Sequence, residues 1–328
     1  MEAELRLKLA MLISTATEFN SMLCGYKGAG KSRPGAIRHT FAHHAYTFPY
    51  TALENNPLFG GRASGTLQNL FASRLARGHR WAMQPVERRV NGSRTSQVTI
   101  RGEIDAGHEV HDVAGLSQGS RRFLLLHGSS IHLDLPADSV DHVVTDPPYF
   151  DSVQYSDLAG FFRVWLRQML PSAVRWDYSL DEAAVDQQAG GNGQYEDVLG
   201  GIFRECHRVL KKERGRLIFT FHHWNPKGWA GLTLALRRAG FRLVTHYVIH
   251  AENPTSVHIS NQNALMHDVV LVLGAVEGVE AVPRQLPQMI DKLDSYAFCD
   301  QSGGALGFLL DQSWPEQEIR KTWSDLLG

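Results

Sequence analysis

From about residue 121 onward, short apolar runs alternate with segments whose apolar positions recur every three or four residues. The clearest helical pattern is Val198, Leu199, Ile202, Phe203, Cys206, Val209 and Leu210, one apolar stripe that runs into Lys211-Lys212 and then Gly215. A second helix is predicted over 158–170, with Phe161, Phe162, Trp165, Leu166 and Leu170 on its apolar side. A third spans 228–239 and stops at Gly240. The runs at 123–126, 140–145, 217–221, 241–249 and 268–273 read as strands. Alternation of this kind predicts an α/β domain with a mostly parallel sheet covered by helices. Ligands in such sheets sit outside the carboxyl ends of the strands.

Upstream the texture differs. Residues 5–24 predict a helix through Leu7, Leu9, Leu12, Ile13 and Phe19. From 25 to about 119 the chain is irregular and rich in Gly, Ser and Arg, with short helical pieces such as 66–76. Residues 276–328 show no strong pattern beyond a helix around 315–327. The expected organisation is therefore a helical, Arg-rich region over 1–119, a catalytic domain over 120–275 and a C-terminal extension over 276–328.

Composition adds bounds. A chain of 328 residues with 43% hydrophobic content holds one large domain or two of ordinary size. Cys24, Cys206 and Cys299 form no CxxC pair, so neither a disulfide framework nor a zinc ribbon is indicated. The apolar runs are too short to span a bilayer and the first residues lack a signal-peptide layout, so a soluble, cytoplasmic protein is expected. Net charge is −1, yet its distribution is uneven. Between residues 56 and 101 lie Arg62, Arg74, Arg77, Arg80, Arg88, Arg89, Arg94 and Arg101 against the single acid Glu87. Clustered arginines suit a phosphate backbone, although a solvated surface or an acidic partner accounts for them as well.

The most specific chemistry sits at Asp146-Pro147-Pro148-Tyr149, after the apolar Val143-Val144-Thr145. An acid, two prolines and an aromatic at a strand's carboxyl end make a small rigid cup for a planar base carrying an exocyclic amine. The carboxylate and a proline carbonyl accept the amine's hydrogen bonds while the tyrosine stacks on the ring. Such a cup suits methyl transfer to the amino nitrogen of an extruded base, where stacking on an aromatic contributes roughly 1–3 kcal/mol. The plainer alternative is a strand followed by a proline-stiffened turn.

The stretch TDPPYFDSVQYSDLAGFFRVWLR, residues 145–167, resembles the amino-methyltransferase motif of a family of large adenine-specific DNA methylases that carry an N-terminal domain of unknown function. KLAMLISTATEFNSMLC, RHTFAHHAY, ENNPLFG, FRECHRVLK, LIFTFHH and WAGLTLALRRAGF resemble that family in the same order, covering roughly residues 5–275. The resemblance implies a Rossmann-like class I methyltransferase sheet, S-adenosylmethionine as methyl donor, and DNA as partner. It places Asp146, Pro147, Pro148 and Tyr149 in catalysis, with Phe150 helping to stack the base. By position alone, Tyr155 after the cup is expected in the base pocket or the turn into the helix, and His222 at a strand's ligand end in the pocket or as a buried, satisfied histidine. Gly128, Ser129 and Thr145 would lie near the cofactor. Glu54 and Asn55 are brought near it by the same resemblance.

Two departures matter. The family's Phe-x-Gly-x-Gly cofactor loop and its ribose-holding acid lie upstream of the matching region. The sheet is therefore expected to be incomplete and the chain to resemble the downstream part of such an enzyme. A second subunit would supply the loop, with restriction–modification or phage defence as the expected setting. Phe59-Gly60-Gly61-Arg62-Ala63-Ser64-Gly65 imitates that loop but follows no apolar strand. After Gly128, the acid usual in the family is replaced by Ser129. A catalytically silent DNA- or partner-binding protein of this type is one alternative.

A different class competes. Gly25-Tyr26-Lys27-Gly28-Ala29-Gly30-Lys31-Ser32 fits the phosphate-binding G-x-x-x-x-G-K-S pattern of an NTPase. That loop requires a buried strand before it and a helix opening at Lys31. Instead Thr17–Cys24 is polar and helical in rhythm, and Pro34-Gly35 follow. His108, His111 and Asp112 match no trusted metal spacing, so no metal is expected. Asp151, Asp157 and His223 accompany the cup as weaker candidates. The mechanism expected is direct transfer to the base nitrogen, with Asp146 and the Pro147 carbonyl orienting the amine and easing its positive charge.

Overall fold

The computed structural model describes residues 2–28, 36–42, 46–61, 63–91, 94–102, 107–150, 154–172, 175–176, 183–185, 192–251 and 265–328. The chain divides into two compact units, one of residues 1–126 with 157–177, the other of 127–156 with 178–328. Lys31 and Ser32 of the NTPase pattern, Arg62 and Asp151 lie outside the described residues.

The first unit begins with helix α1 (Glu2–Ala16), followed by a 3-10 turn at Thr17–Phe19. Leu12 and Ala16 pack on Leu70, with Leu67 and Leu75 alongside. The second helical stretch opens at Thr66, whose side chain accepts the Asn69 amide. It continues as α2 (Leu67–Leu70), a π-helical segment (Phe71–Ala76) and α3 (Arg77–Met83). Strands β1 (Val86–Asn91) and β2 (Arg94–Thr99) pair antiparallel into a ribbon, with only Gly92 and Ser93 between them in sequence. Strands β3 (His108–Val110) and β4 (Arg122–Leu124) form a separate parallel pair. The predicted strand at 123–126 thus belongs to this small sheet. Its three-residue ladder leaves Leu125 and Leu126 exposed.

Helix α4 (Tyr155–Met169) contributes residues from Asp157 onward to the first unit. There Phe161 and Phe162 pack edge-on against Phe41 at 5.4 and 5.9 Å between ring centroids.

The second unit carries the larger sheet, β5 (His142–Thr145), β6 (Arg216–Phe221), β7 (Phe241–His250) and β8 (His267–Ala275), in the order β5-β6-β8-β7. The β5–β6 pair is parallel, whereas β8 lies antiparallel to both β6 and β7. The expectation of a mostly parallel sheet is corrected here. A parallel neighbour needs a long crossover, usually a helix. Helix α6 (Pro226–Arg238) separates β6 from β7, but no described helix separates β7 from β8.

Register assigns the faces. Val143, Thr145, Leu217, Phe219, Phe221, Leu271 and Leu273 share one face through their pairings. On this face Phe203 of α5 (Asn192–Val209) stacks on Phe219, and Trp229 of α6 meets Phe221 edge-on at 4.9 Å. Helix α7 (Ser295–Leu310) packs on the same side of β7 and β8, and its glycines let it approach closely. A Cβ on Gly307 would lie 2.5 Å from Leu243 Cδ2. Helix α8 (Glu316–Leu327) adds a further layer, with Trp323 stacked on Trp229 at 5.3 Å and its indole donating to Thr233 Oγ1. On the opposite face Val144 is exposed, Ile218, Thr220 and Val272 are half-buried, and Val270 is buried.

Charge braces the helices. The buried Glu196 carboxylate accepts from Arg238 at 2.7 Å and Arg320 at 2.6 Å, tying α5 to α6 and α8. Among the described residues no helix is long and apolar enough to cross a membrane. The α/β character is therefore as expected, in the form of small sheets of which the four-stranded one is mixed in direction.

Candidate active site

Asp146 leaves the carboxyl end of β5 directly beside the parallel β6. Its side chain is exposed, and Oδ1 accepts a hydrogen bond from Thr220 Oγ1 at 3.1 Å. Thr220 has one hydroxyl proton, and a carboxylate only accepts. That proton is therefore committed to Asp146. It follows that Tyr149, whose oxygen lies 2.6 Å from the same Oγ1, donates to Thr220. A Tyr149–Thr220–Asp146 chain thus fixes the carboxylate and the phenol together.

The rest of the loop is held from behind. Pro147 is buried. The Pro148 carbonyl accepts from Tyr195 Oη of α5 and from the Phe150 amide, each at 3.1 Å. Both bonds fall one residue beyond the Pro147 carbonyl expected to face the amine. Phe150 has φ of +53°, a left-handed conformation that is strained for a bulky side chain. Such an outlier costs on the order of 1–3 kcal/mol and persists only where its surroundings over-determine it. Its surroundings do so, since the ring is edge-on to Tyr195 at 5.2 Å and to His223 at 5.5 Å. Phe150, expected to help stack a base, is only 9% exposed. It shapes the loop from beneath, because the left-handed turn directs it into the core.

Tyr149 is half-buried, its ring edge-on to Phe221 at 5.3 Å and to His222 at 5.0 Å. Burial raises its phenol above the ordinary tyrosine range, and the Asp268 and Asp146 charges add to this. Burial likewise raises Tyr195. Both phenols are thus neutral donors at ordinary pH. His222 leaves β6 on the same ligand side, and its Nδ1 bonds the Asp268 carboxylate at the start of β8. With a carboxylate as acceptor, Nδ1 carries the proton and the ring is held in one orientation. His223 turns the other way. Its Nδ1 accepts the Asn225 amide at 2.9 Å, and its carbonyl takes the Trp229 indole proton at 2.7 Å.

The structure thus gathers Asp146, Tyr149 and His222 around Thr220 and Asp268, two residues that sequence reasoning assigned no role. Thr220 was legible as the polar position within LIFTFHH, and Asp268 as an acid opening an apolar strand. Tyr155 is 58% exposed and opens α4. Thr145 is half-buried in the β5–β6 ladder.

The expected donor site fares differently. Gly128 and Ser129 are exposed, and Ser129 forms a local turn in which its carbonyl accepts from the His132 amide. A Cβ on Gly128 would meet nothing within 4 Å, so no tight approach requires glycine there. Asn55 bonds the Ser64 carbonyl. Among the described residues no cluster of His, Cys, Asp or Glu could hold a metal ion.

Arg74, Arg77, Arg80, Arg88 and Arg89 are all exposed in the first unit. The segment before Gly25 is a 3-10 turn and loop, where the NTPase pattern requires a strand. No protein-family model matches the chain, and no curated protein matches it.

Proposed function

We propose that this chain is the substrate-holding part of an S-adenosylmethionine-dependent amino-methyltransferase acting on DNA, with adenine N6 as its target. The observation that carries the reading is an exposed Asp146 at the carboxyl end of a parallel strand, locked to Tyr149 through Thr220. In this reading Asp146 accepts one amine proton and the Pro147 carbonyl the other, orienting the nitrogen lone pair toward the donor. The exposed part of Tyr149 meets the extruded base, and its phenol anchors the ring against drift. His222, oriented by Asp268, closes one side. The setting is restriction–modification or phage defence in the cytoplasm.

The finer fold reading is a Rossmann-like class I sheet of which this chain carries part. The β5–β6 pair with an acid at its carboxyl end supports it, since antiparallel strands at the edge of a doubly wound sheet are common. A second subunit supplies the donor site. Two features support this. Strand β5 ends the sheet, pairing only with β6 among the described residues, and Val144 on the face opposite the helices is 75% exposed. An apolar, unpaired edge strand is the place where another chain adds strands.

The test is N6-methyladenine in the DNA of cells expressing the chain together with the coding regions that flank its gene. Wild type is expected to methylate, and Asp146→Ala to lose at least a hundredfold while folding normally. Undiminished methylation by Asp146→Ala, or no methylation by any such combination, overturns the reading.

A further inference from the structure

The β1–β2 ribbon has no place in the chemistry above, and its described side chains are exposed on both faces apart from the half-buried Val86. A two-stranded ribbon that buries neither face gains little from packing and is marginal alone. Its composition suggests what it meets. Register sets Arg88 directly opposite Gln97 on one face, between Val86 opposite Thr99 and Val90 opposite Thr95. Arg89 lies opposite Ser96 on the other face. Side chains opposed in this way start about 5 Å apart and reach out together.

A major groove about 12 Å wide admits a two-stranded ribbon, and its base edges discriminate between side chains. Arginine pairs with guanine O6 and N7, and the glutamine amide pairs with adenine N6 and N7. Arg88 beside Gln97 is a neighbouring pair of those two readers. Phosphates alone would be served equally well by lysine or arginine at both positions. The chain leading into the ribbon carries Arg74, Arg77 and Arg80 three residues apart and exposed, a spacing suited to the backbone flanking the groove.

We propose that the β1–β2 ribbon enters the DNA major groove, with Arg88 and Gln97 reading neighbouring base pairs and Arg74, Arg77 and Arg80 holding phosphates. The inference rests on the DNA reading above and names the recognition element that reading left open.

The test is selection from a randomised 30-base-pair duplex pool by the full chain, without methyl donor, at a fixed salt concentration. Wild type is expected to enrich a motif containing guanine and adenine at neighbouring base pairs. Arg88→Ala relaxes the guanine preference and Gln97→Ala the adenine preference, each by roughly tenfold or more. Arg74→Ala weakens binding to all members alike and lowers the salt slope by about one. An unchanged motif in both ribbon variants, binding without any motif, or no binding at low salt overturns the proposal. Failure of the catalytic reading is distinguishable. A motif that shifts with Arg88 while Asp146→Ala still methylates retains the ribbon and removes the cup. Methylation of an unshifted motif by Arg88→Ala does the reverse.

Discussion

Replacing Thr220 with valine keeps the side chain's shape and removes the hydroxyl that joins Tyr149 to Asp146. Two hydrogen bonds go at once. The one to Asp146 involves an exposed carboxylate that water can serve, so its loss costs at the low end of about 0.5–1.5 kcal/mol. The one from Tyr149 is short and half-buried, and stripping its acceptor costs about 1 kcal/mol. Thr220→Val should therefore destabilise by about 1–2 kcal/mol, and Tyr149→Phe by about 1 kcal/mol. Because both changes break the same bond, the double variant should fall short of their sum by about 0.5–1.5 kcal/mol. Urea unfolding, followed by fluorescence of the buried Trp229–Trp323 pair, reads this as midpoint shifts of about half a molar. If the proposed reaction is right, Thr220→Val should also slow methyl transfer about tenfold with little change in DNA affinity, because Asp146 loses its orientation and the groove contacts do not. Additivity of the two substitutions within about 0.3 kcal/mol would refute the shared bond, and with it the idea that this chain orients the carboxylate.

Two further expectations follow from the second unit. Trp323→Ala removes a fully buried indole stacked on Trp229 together with the bond it donates to Thr233, so a loss of about 3–5 kcal/mol is expected in the same urea assay. A loss below about 1.5 kcal/mol would mean that α8 is peripheral. Glu205 is held down to about 2 by its bond to Arg208, with the Leu133 amide assisting against the cost of burial. A depressed carboxyl stabilises above its unfolded value and loses that contribution as pH falls from about 4.5 toward 2. Glu205→Gln should flatten acid unfolding across that window, and matching slopes for variant and wild type would count against the pairing.

The sequence alone was enough to place most of the second unit's elements and the cup. Apolar runs and helical stripes are local signals, so β6, α5, α6 and β7 lie within a few residues of their predicted bounds, with Gly240 at φ of +82° ending the third helix as expected. The acid-Pro-Pro-aromatic turn is equally local, since prolines constrain the backbone wherever they stand. Helix α7 was invisible because Gly303, Gly304 and Gly307 argue against a helix, and its apolar residues surround it without a stripe. Only packing reveals that those glycines seat it on β7 and β8. Strand direction was misjudged for the same reason, because whether β8 runs with or against β6 depends on partners far away in the chain. Thr220 and Asp268 became site residues only when β5, β6 and β8 were laid side by side, 74 residues separating Thr220 from the carboxylate it serves. Periodicity reports what a segment buries; which polar groups meet at the end of a sheet is decided by the order of its strands.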